Sequence, residues 1–182
     1  MADNIEQWHK LTIEEPIDPD LPICDPHHHL WDYPGNRYLL HELMQDIGGG
    51  HNVVKTVFVE CSAMYRPDGP VEMRPVGETE SALDIAMQSV SDKYSKTAVA
   101  AGIVGFADLT LGADVEPVLE AHIKAGGSNF RGIRHSVARD ANPEIRSYRN
   151  SPRGLMLDSR FREGFACLEK YGLTFDAWLY HP

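Results

Sequence analysis

The residues with the clearest chemical potential lie in the stretch 23–32, which reads Ile-Cys-Asp-Pro-His-His-His-Leu-Trp-Asp. In an extended strand, residues two apart share a face, so His27 and His29 would project together while His28 faces the other way. Two imidazoles placed in this manner can bind one ion through nitrogen atoms at about 2.0 to 2.1 Å. The spacing predicts a metal or acid–base site, and the alternative is a strand-end histidine run that binds metal only adventitiously.

To position such residues, the chain must fold as alternating strands and helices. Apolar runs bounded by turn residues predict strands at residues 21–26, 53–61, 98–106, 130–137 and 173–180. Helical patterns cover residues 39–46 and 79–96, a segment capped by Asp114 and ended by Gly126, and a segment capped by Asp158 and ended by Gly172. This order predicts an α/β fold, with a parallel sheet of about five strands joined by right-handed crossover helices.

Polar residues recur where these strands end. They are Glu60 and Ser62 after the second strand, Arg134 and His135 in the fourth, and Tyr180 and His181 at the end of the fifth. Parallel α/β folds place their sites at the carboxyl ends of the strands, so we expect these side chains near His27 and His29.

Each of these positions also has a simpler interpretation. Arg134 could form a structural salt bridge instead of binding a ligand. Glu60 could accept a hydrogen bond from a first-strand histidine, or be solvated. His181 could be a surface residue. Ser62, His135 and Tyr180 are candidates by position alone.

Composition limits the classes of partner. The 182 residues, 42% hydrophobic and 24% charged, suit one domain, which we assign to residues 21–182 after a polar, proline-punctuated lead-in at 1–20. A net charge of −10 argues against nucleic acid or an anionic membrane as partner, but a few arginines can still attract an anionic substrate. Three scattered cysteines suggest no disulfide framework. With no signal peptide or apolar span evident, we expect a cytoplasmic protein.

Three motifs together carry a family resemblance. They are Asp-Pro-His-His-His-Leu-Trp-Asp at 25–32, Phe-Arg-Gly-Ile-Arg-His at 130–135 and Phe-Asp-Ala-Trp-Leu-Tyr-His-Pro at 175–182. In this order they resemble the amidohydrolase-related family of metal-dependent hydrolases, in the branch that includes L-fuconolactonase, L-rhamnonolactonase and pyrone-dicarboxylate lactonase. The resemblance covers the chain from about residue 21 to its end. It implies a (β/α)8 TIM barrel, which typically needs about 250 residues, so we expect the amino-terminal part of such a barrel.

The resemblance also implies roles for the candidate residues. His27 and His29 would bind one divalent ion, zinc or manganese, with His181 as a third ligand and catalytic residue; a metal-free site is the alternative. Glu60 would assist catalysis. Arg134 would hold a substrate carboxylate, with Ser62, His135 and Tyr180 as further substrate contacts. The strand-eight aspartate that serves the family as general base is not in this sequence.

Three functional hypotheses follow from the resemblance and the residues. The first is metal-assisted hydrolysis of a lactone or similar cyclic ester, from a sugar acid or an aromatic-degradation intermediate, on a small carboxylate-bearing substrate. The second is a metal-dependent decarboxylase of the same family. The third is a non-catalytic fragment or assembly partner, for which a homo-oligomer is possible because a five-strand sheet leaves two open edges.

Overall fold

A five-strand parallel sheet forms the framework of the chain, in a computed structural model that describes residues 7–8, 11–12, 14–90, 96–147, 149 and 151–180. The strands are β1 (Ile23–His28), β2 (Trp31–Tyr33), β3 (Asn36–Tyr38), β4 (Val53–Val59), β5 (Ala98–Gly105), β6 (Phe130–Ile133) and β7 (Thr174–Phe175). The helices are α1 (Leu40–Ile47), α2 (Val76–Ser89), α3 (Glu116–Gly126) and α4 (Ser159–Lys170).

The sheet order is β1-β4-β5-β6-β7, and all four neighbouring pairs are parallel. The sheet is curled into a half-barrel. β2 and β3 form a separate antiparallel hairpin. The predicted α/β class and the five-strand parallel sheet are therefore confirmed. No helix among the described residues is long and apolar enough to cross a membrane.

The core lies between the sheet and its helices. β4 and β5 are near-continuous apolar runs, the pattern typical of strands in a parallel sheet that are buried on both faces. Phe58 and Ile103 are fully buried there, together with Leu119 of α3. α2 packs against both β5 and α3.

The predicted fifth strand, 173–180, is longer than the observed one. Only Thr174 and Phe175 pair regularly with β6. After them Asp176 N donates to Ile133 O at 2.9 Å, and Val137 N donates to Trp178 O at 3.0 Å. The segment therefore continues beside the residues that follow β6, but without the regular ladder that defines a strand.

The predicted cap of α3 was also wrong. Asp114 does not cap the helix, which begins at Glu116 after a 3₁₀ segment at Leu109–Val115. That segment is capped by Asp108, whose carboxylate accepts a hydrogen bond from Thr110 N at 2.9 Å. The predicted cap of α4 is confirmed, because Asp158 accepts hydrogen bonds from the backbone nitrogens of the helix's first turn.

The inward face of α2 differs from its predicted stripe. The apolar pattern predicts Leu83, Ala86, Met87 and Val90 on that face; Ala86 is buried there, but Met87 and Val90 are 65% and 67% exposed. Small and polar side chains that the pattern did not predict are buried beside Ala86: Glu78, Thr79, Ala82 and Ser89, together with Ile85. Because most of these side chains are short, the helix can lie close to β5.

A register shift in β1 sets the direction of the histidines. Asp25 pairs with Thr56 and His28 pairs with Phe58, so three residues of β1 advance against two of β4. His28 is buried on the core side, with Nε2 2.8 Å from Thr56 Oγ1. His27 and His29 lie on the other side of the strand, as their alternation with His28 predicts.

A buried histidine links three elements beneath the sheet's carboxyl end. His122 is fully buried in α3 and stacks on the ring of Phe130. Its Nδ1 lies 2.8 Å from Thr79 Oγ1, and its Nε2–H donates to Phe106 O at 3.0 Å. Burial lowers the pKa of His122 to about 4. The ring is therefore neutral, and it satisfies two polar groups of the core.

This burial predicts a pH-dependent stability. In the unfolded chain an imidazole gains its proton near pH 6.5, but folded His122 does so only near pH 4. The unfolded state therefore binds more protons in that window, and stability is lost as the pH falls through it. We expect the free energy of unfolding to fall by up to about 1.4 kcal/mol per pH unit more steeply in the wild type than in His122→Gln.

Urea unfolding between pH 7 and pH 4 measures this slope. The exposed His41→Gln variant serves as the matched control and should retain the wild-type slope. Equal slopes in the wild type and His122→Gln would contradict the assignment of a neutral, buried His122.

Candidate functional site

Two imidazole nitrogens face each other at the carboxyl end of β1. His27 Nε2 lies 3.2 Å from His29 Nε2, and the two rings are nearly perpendicular. His29 Nδ1–H donates to Val59 O at 2.7 Å. Because burial lowers the pKa of His29, its ring is neutral and its Nε2 carries a lone pair. A hydrogen bond between the two nitrogens therefore needs the proton to be on Nε2 of His27.

The distance between the two nitrogens fits two of the four ligand positions around one tetrahedral metal ion. Two nitrogen ligands at about 2.05 Å from a tetrahedral ion would be about 3.3 Å apart. The bond from His29 Nδ1 to a backbone carbonyl is the kind that orients metal-bound histidines. The described residues contain no group of three possible ligands among His, Cys, Asp and Glu. His181, the expected third ligand, lies outside the described residues.

Arg134 lies beside the histidine pair but is held by Glu60. Its side chain is only 4% exposed, and its Nε donates to Glu60 Oε1 at 2.9 Å while its Nη2 donates to the Glu60 carbonyl. Its Nη1 lies 3.4 Å from His27 Nε2, and its guanidinium covers the Trp178 ring at 4.7 Å. The salt bridge considered from the sequence is thus present, and Nη1 is the part of the fork that faces His27.

Glu60 is fully buried between two guanidinium groups. Its second oxygen, Oε2, accepts a hydrogen bond from Arg149 Nη2 at 2.6 Å. Arg149 also donates to Tyr65 Oη at 2.8 Å and covers the Phe106 ring at 3.8 Å. Glu60 forms no hydrogen bond with His27 or His29 within the described structure, because the guanidinium of Arg134 lies between them. This geometry suits a carboxylate that positions arginines.

Arg149 is the residue that the sequence did not single out. It belongs to a loop that also contains Arg139, Arg146 and Arg153. No spacing in that loop distinguishes one arginine from the others. The accumulation of arginines in an acidic chain was the available signal, and it points to the loop rather than to a residue.

The remaining candidates lie at the same end of the sheet in different surroundings. His135 is buried between the rings of Phe106 and Phe161, and its Nδ1 accepts a hydrogen bond from Leu109 N at 3.2 Å. Burial lowers the pKa of His135, so the ring is a neutral packing element. Ser62 is exposed in the loop after β4.

Tyr180 extends from the segment after β7. Its Oη donates to Arg146 O at 2.7 Å, which ties this segment to the arginine-containing loop. The structure therefore brings His27, His29, Arg134 and Glu60 together. His135 and Tyr180 instead form hydrogen bonds with backbone groups, namely Leu109 N and Arg146 O.

Comparisons with known proteins add a single relationship. No family model matches the chain, and no solved structure matches it. The chain is 31% identical over 176 residues to a protein of Sinorhizobium fredii named "Uncharacterized protein y4mH". The match covers 89% of the chain and 55% of that protein, so the chain spans about half the length of the curated relative it matches. The name of that relative states no activity.

The buried cluster predicts a large effect of neutralising its carboxylate. In Glu60→Gln, the Arg134 guanidinium would stay buried without its counter-charge, and such losses cost about 3 to 5 kcal/mol. We expect this loss in the free energy of unfolding, measured by urea titration. Glu80→Gln is the matched control, because Glu80 pairs with Arg66 on the surface, where ion pairs contribute less than about 1 kcal/mol. Similar losses in both variants would contradict a dominant role for the Glu60 cluster.

Proposed function

We propose that the chain forms the first five strands of a (β/α)8 barrel and belongs to a hydrolase that opens a lactone or similar cyclic ester. The observation that carries this proposal is the pair of imidazole nitrogens 3.2 Å apart, beside a buried arginine at the carboxyl ends of the strands. That is the end of a parallel α/β sheet at which substrates bind. The motif resemblance supplies the reaction class.

His27 and His29 would hold one divalent ion, zinc or manganese. When bound, such an ion polarises a carbonyl and lowers the pKa of a water molecule. His29 is oriented for this task by Val59 O, and its Nε2 lone pair is available in the neutral ring. In a metal-free site, the two histidines would share a proton and bind the substrate directly.

Arg134 would orient the substrate through one edge of its guanidinium. Glu60 occupies Nε and Nη2, so the fork cannot rotate, and Nη1 is fixed beside His27. From this position Nη1 can donate to a carboxylate or carbonyl oxygen of a molecule held at the histidines. Glu60 contributes by keeping the guanidinium in place, since both its oxygens are already paired.

The charge of the cluster favours an anionic substrate. Two guanidinium groups surround one carboxylate, which leaves a net positive charge on the cluster of Arg134, Arg149 and Glu60 in a chain of net charge −10. A local excess of positive charge attracts anions even to an acidic protein. We therefore propose that the lactone carries a carboxylate. A metal-dependent decarboxylase is the second candidate, because Arg134 Nη1 beside His27 could equally hold the carboxylate that such an enzyme removes.

The first test is the metal content of the purified, untagged protein. Plasma mass spectrometry should find about one zinc or manganese ion per chain, and the ion should be lost from the double variant His27→Ala, His29→Ala. The double variant His41→Ala, His51→Ala is the control, because both side chains are exposed. A wild type that binds no metal at micromolar concentration would contradict the metal-assisted mechanism.

The second test compares substrates on the full-length protein. We expect carboxylate-bearing lactones to be hydrolysed with a kcat/KM about 10-fold or more above that of their methyl esters, since a charge-assisted contact to Arg134 contributes at least about 1.4 kcal/mol. Hydrolysis should fall at least about 100-fold in the His27→Ala, His29→Ala variant. Release of CO2 from hydroxybenzoate-type acids, without lactone hydrolysis, would replace the hydrolase with the decarboxylase.

A further inference from the structure

The loop that follows β4 has an unusual backbone. Ser62 and Met64 both lie in the left-handed region, with φ of 66° and 54°. Residues other than glycine rarely adopt this conformation unless surrounding contacts impose it. The loop connects Glu60, which holds the two arginines, to Tyr65, which contacts one of them. Its conformation therefore bears directly on the geometry of the site.

A carboxyl group of α2 binds the backbone on both sides of Ser62. Glu78 Oε1 accepts hydrogen bonds from Cys61 N and from Ala63 N, each at 2.9 Å. These two amides flank Ser62, so the carboxyl group closes the turn on both sides of it. The start of α2 also presses on the loop at Gly77, where an added Cβ would lie 2.8 Å from Met64 O.

The other oxygen of Glu78 is buried without a hydrogen-bond partner. Glu78 is 1% exposed, and within the described residues no group bonds to its Oε2. The titratable groups that face it from the neighbouring strand end and loop are Glu60, Cys61 and Tyr65. None of these supplies a positive charge. An ionised Glu78 would therefore hold a negative oxygen in the core, close to the carboxylate of Glu60.

Protonation relieves that penalty. Burial raises the pKa of Glu78 to about 7. Because the folded-state pKa lies above the ordinary value of 4.5, the stabilisation of the closed loop is complete at low pH. It is lost as the pH rises through about 7, because ionisation leaves a negative oxygen buried without a partner, a cost that exceeds the gain from the Cys61 and Ala63 amides.

We propose that Glu78 is a positioning residue of the site, whose protonated carboxyl group holds residues 61–64 closed and whose ionisation releases them. Release would free the peptide next to Glu60, and through it the arginines that Glu60 holds. The control of residues 61–64 by Glu78, called the latch below, does not depend on the proposed function. Its link to substrate binding does rest on the proposed function.

Amide spectra of the whole chain test the latch without any substrate. In the ¹⁵N-labelled wild type, the Cys61 and Ala63 amides should titrate together with a midpoint near pH 7. Their protection from hydrogen exchange should fall about 10-fold between pH 6 and pH 8.5, after correction for intrinsic exchange. Burial raises the pKa of the Cys61 thiol to about 12, so that thiol stays neutral in this range.

Two variants of α2 isolate the group. Glu78→Gln keeps an oxygen acceptor for both amides but cannot ionise, so protection should persist with no titration. Glu80→Gln, on the same helix but exposed and paired with Arg66, should behave as the wild type. Amides that do not titrate in the wild type, or that titrate equally in Glu78→Gln, would overturn the proposal.

The pH dependence of KM and kcat is the second measurement. With a carboxylate-bearing lactone, KM in the wild type should rise about 4-fold between pH 6.5 and pH 8.5 with little change in kcat, and this rise should disappear in Glu78→Gln. Titrating amides in a protein that hydrolyses no lactone would uphold the latch and reject the proposed function. Lactone hydrolysis by a protein whose Cys61 and Ala63 amide signals do not change with pH would reject the latch and uphold the proposed function.

Discussion

The burial of the Glu60 carboxylate between two guanidinium groups is the interaction on which the site depends. Removing three charged groups from water is unfavourable, and it is tolerated only where hydrogen bonds satisfy each charge. Here Arg134 reaches Glu60 from the end of β6, and Arg149 reaches it from the loop beyond. Because the partners come from distant parts of the chain, the cluster can form only when β4, β5 and β6 are in register.

The end of β4 organises both sides of the site through successive carbonyls. Val59 O accepts from His29, and Glu60 O accepts from Arg134. Successive carbonyls of a strand point in opposite directions, so one residue serves β1 and the next serves β6. The histidine pair and the arginine are thus bound to two neighbouring carbonyl groups of the same strand. A shift of β4 along its axis would displace both together.

Sequence reasoning succeeded where the chemistry is local and periodic. The position of β4 follows from a continuous valine-rich run, and the alternation of His27, His28 and His29 follows from the two-residue repeat of a strand. It failed at Asp114, because several acidic residues near a helix start can act as caps and the 3₁₀ turn selected Asp108. It failed for the length of β7, because a strand ends where its partner's ladder ends.

Other parts of the site could not be predicted from local patterns in the sequence. Arg149 sits in an irregular loop, so its contact with Glu60 depends on the path of residues that follow no repeat. Glu78 reads as an ordinary first-turn acid of a helix, and its burial follows from the close approach of α2 to the loop at Gly77. Long-range contacts between loops and strand ends are set by the assembled fold. They leave little trace in the spacing of residues.

The extra residue in β1 determines which face of the strand each histidine lies on. Counted from Asp25 against Thr56, an unshifted strand would place His27 beside Phe58 in the core and turn His28 toward the site. The shift reverses that parity. A deletion of Pro26 would remove the extra residue, so His28 would stand two residues after Asp25 and stay opposite Phe58, with His27 and His29 still on the site face. Among relatives of this chain, a first strand one residue shorter at this point would therefore keep the histidine pair without a bulge, whereas a strand of the present length needs the shift.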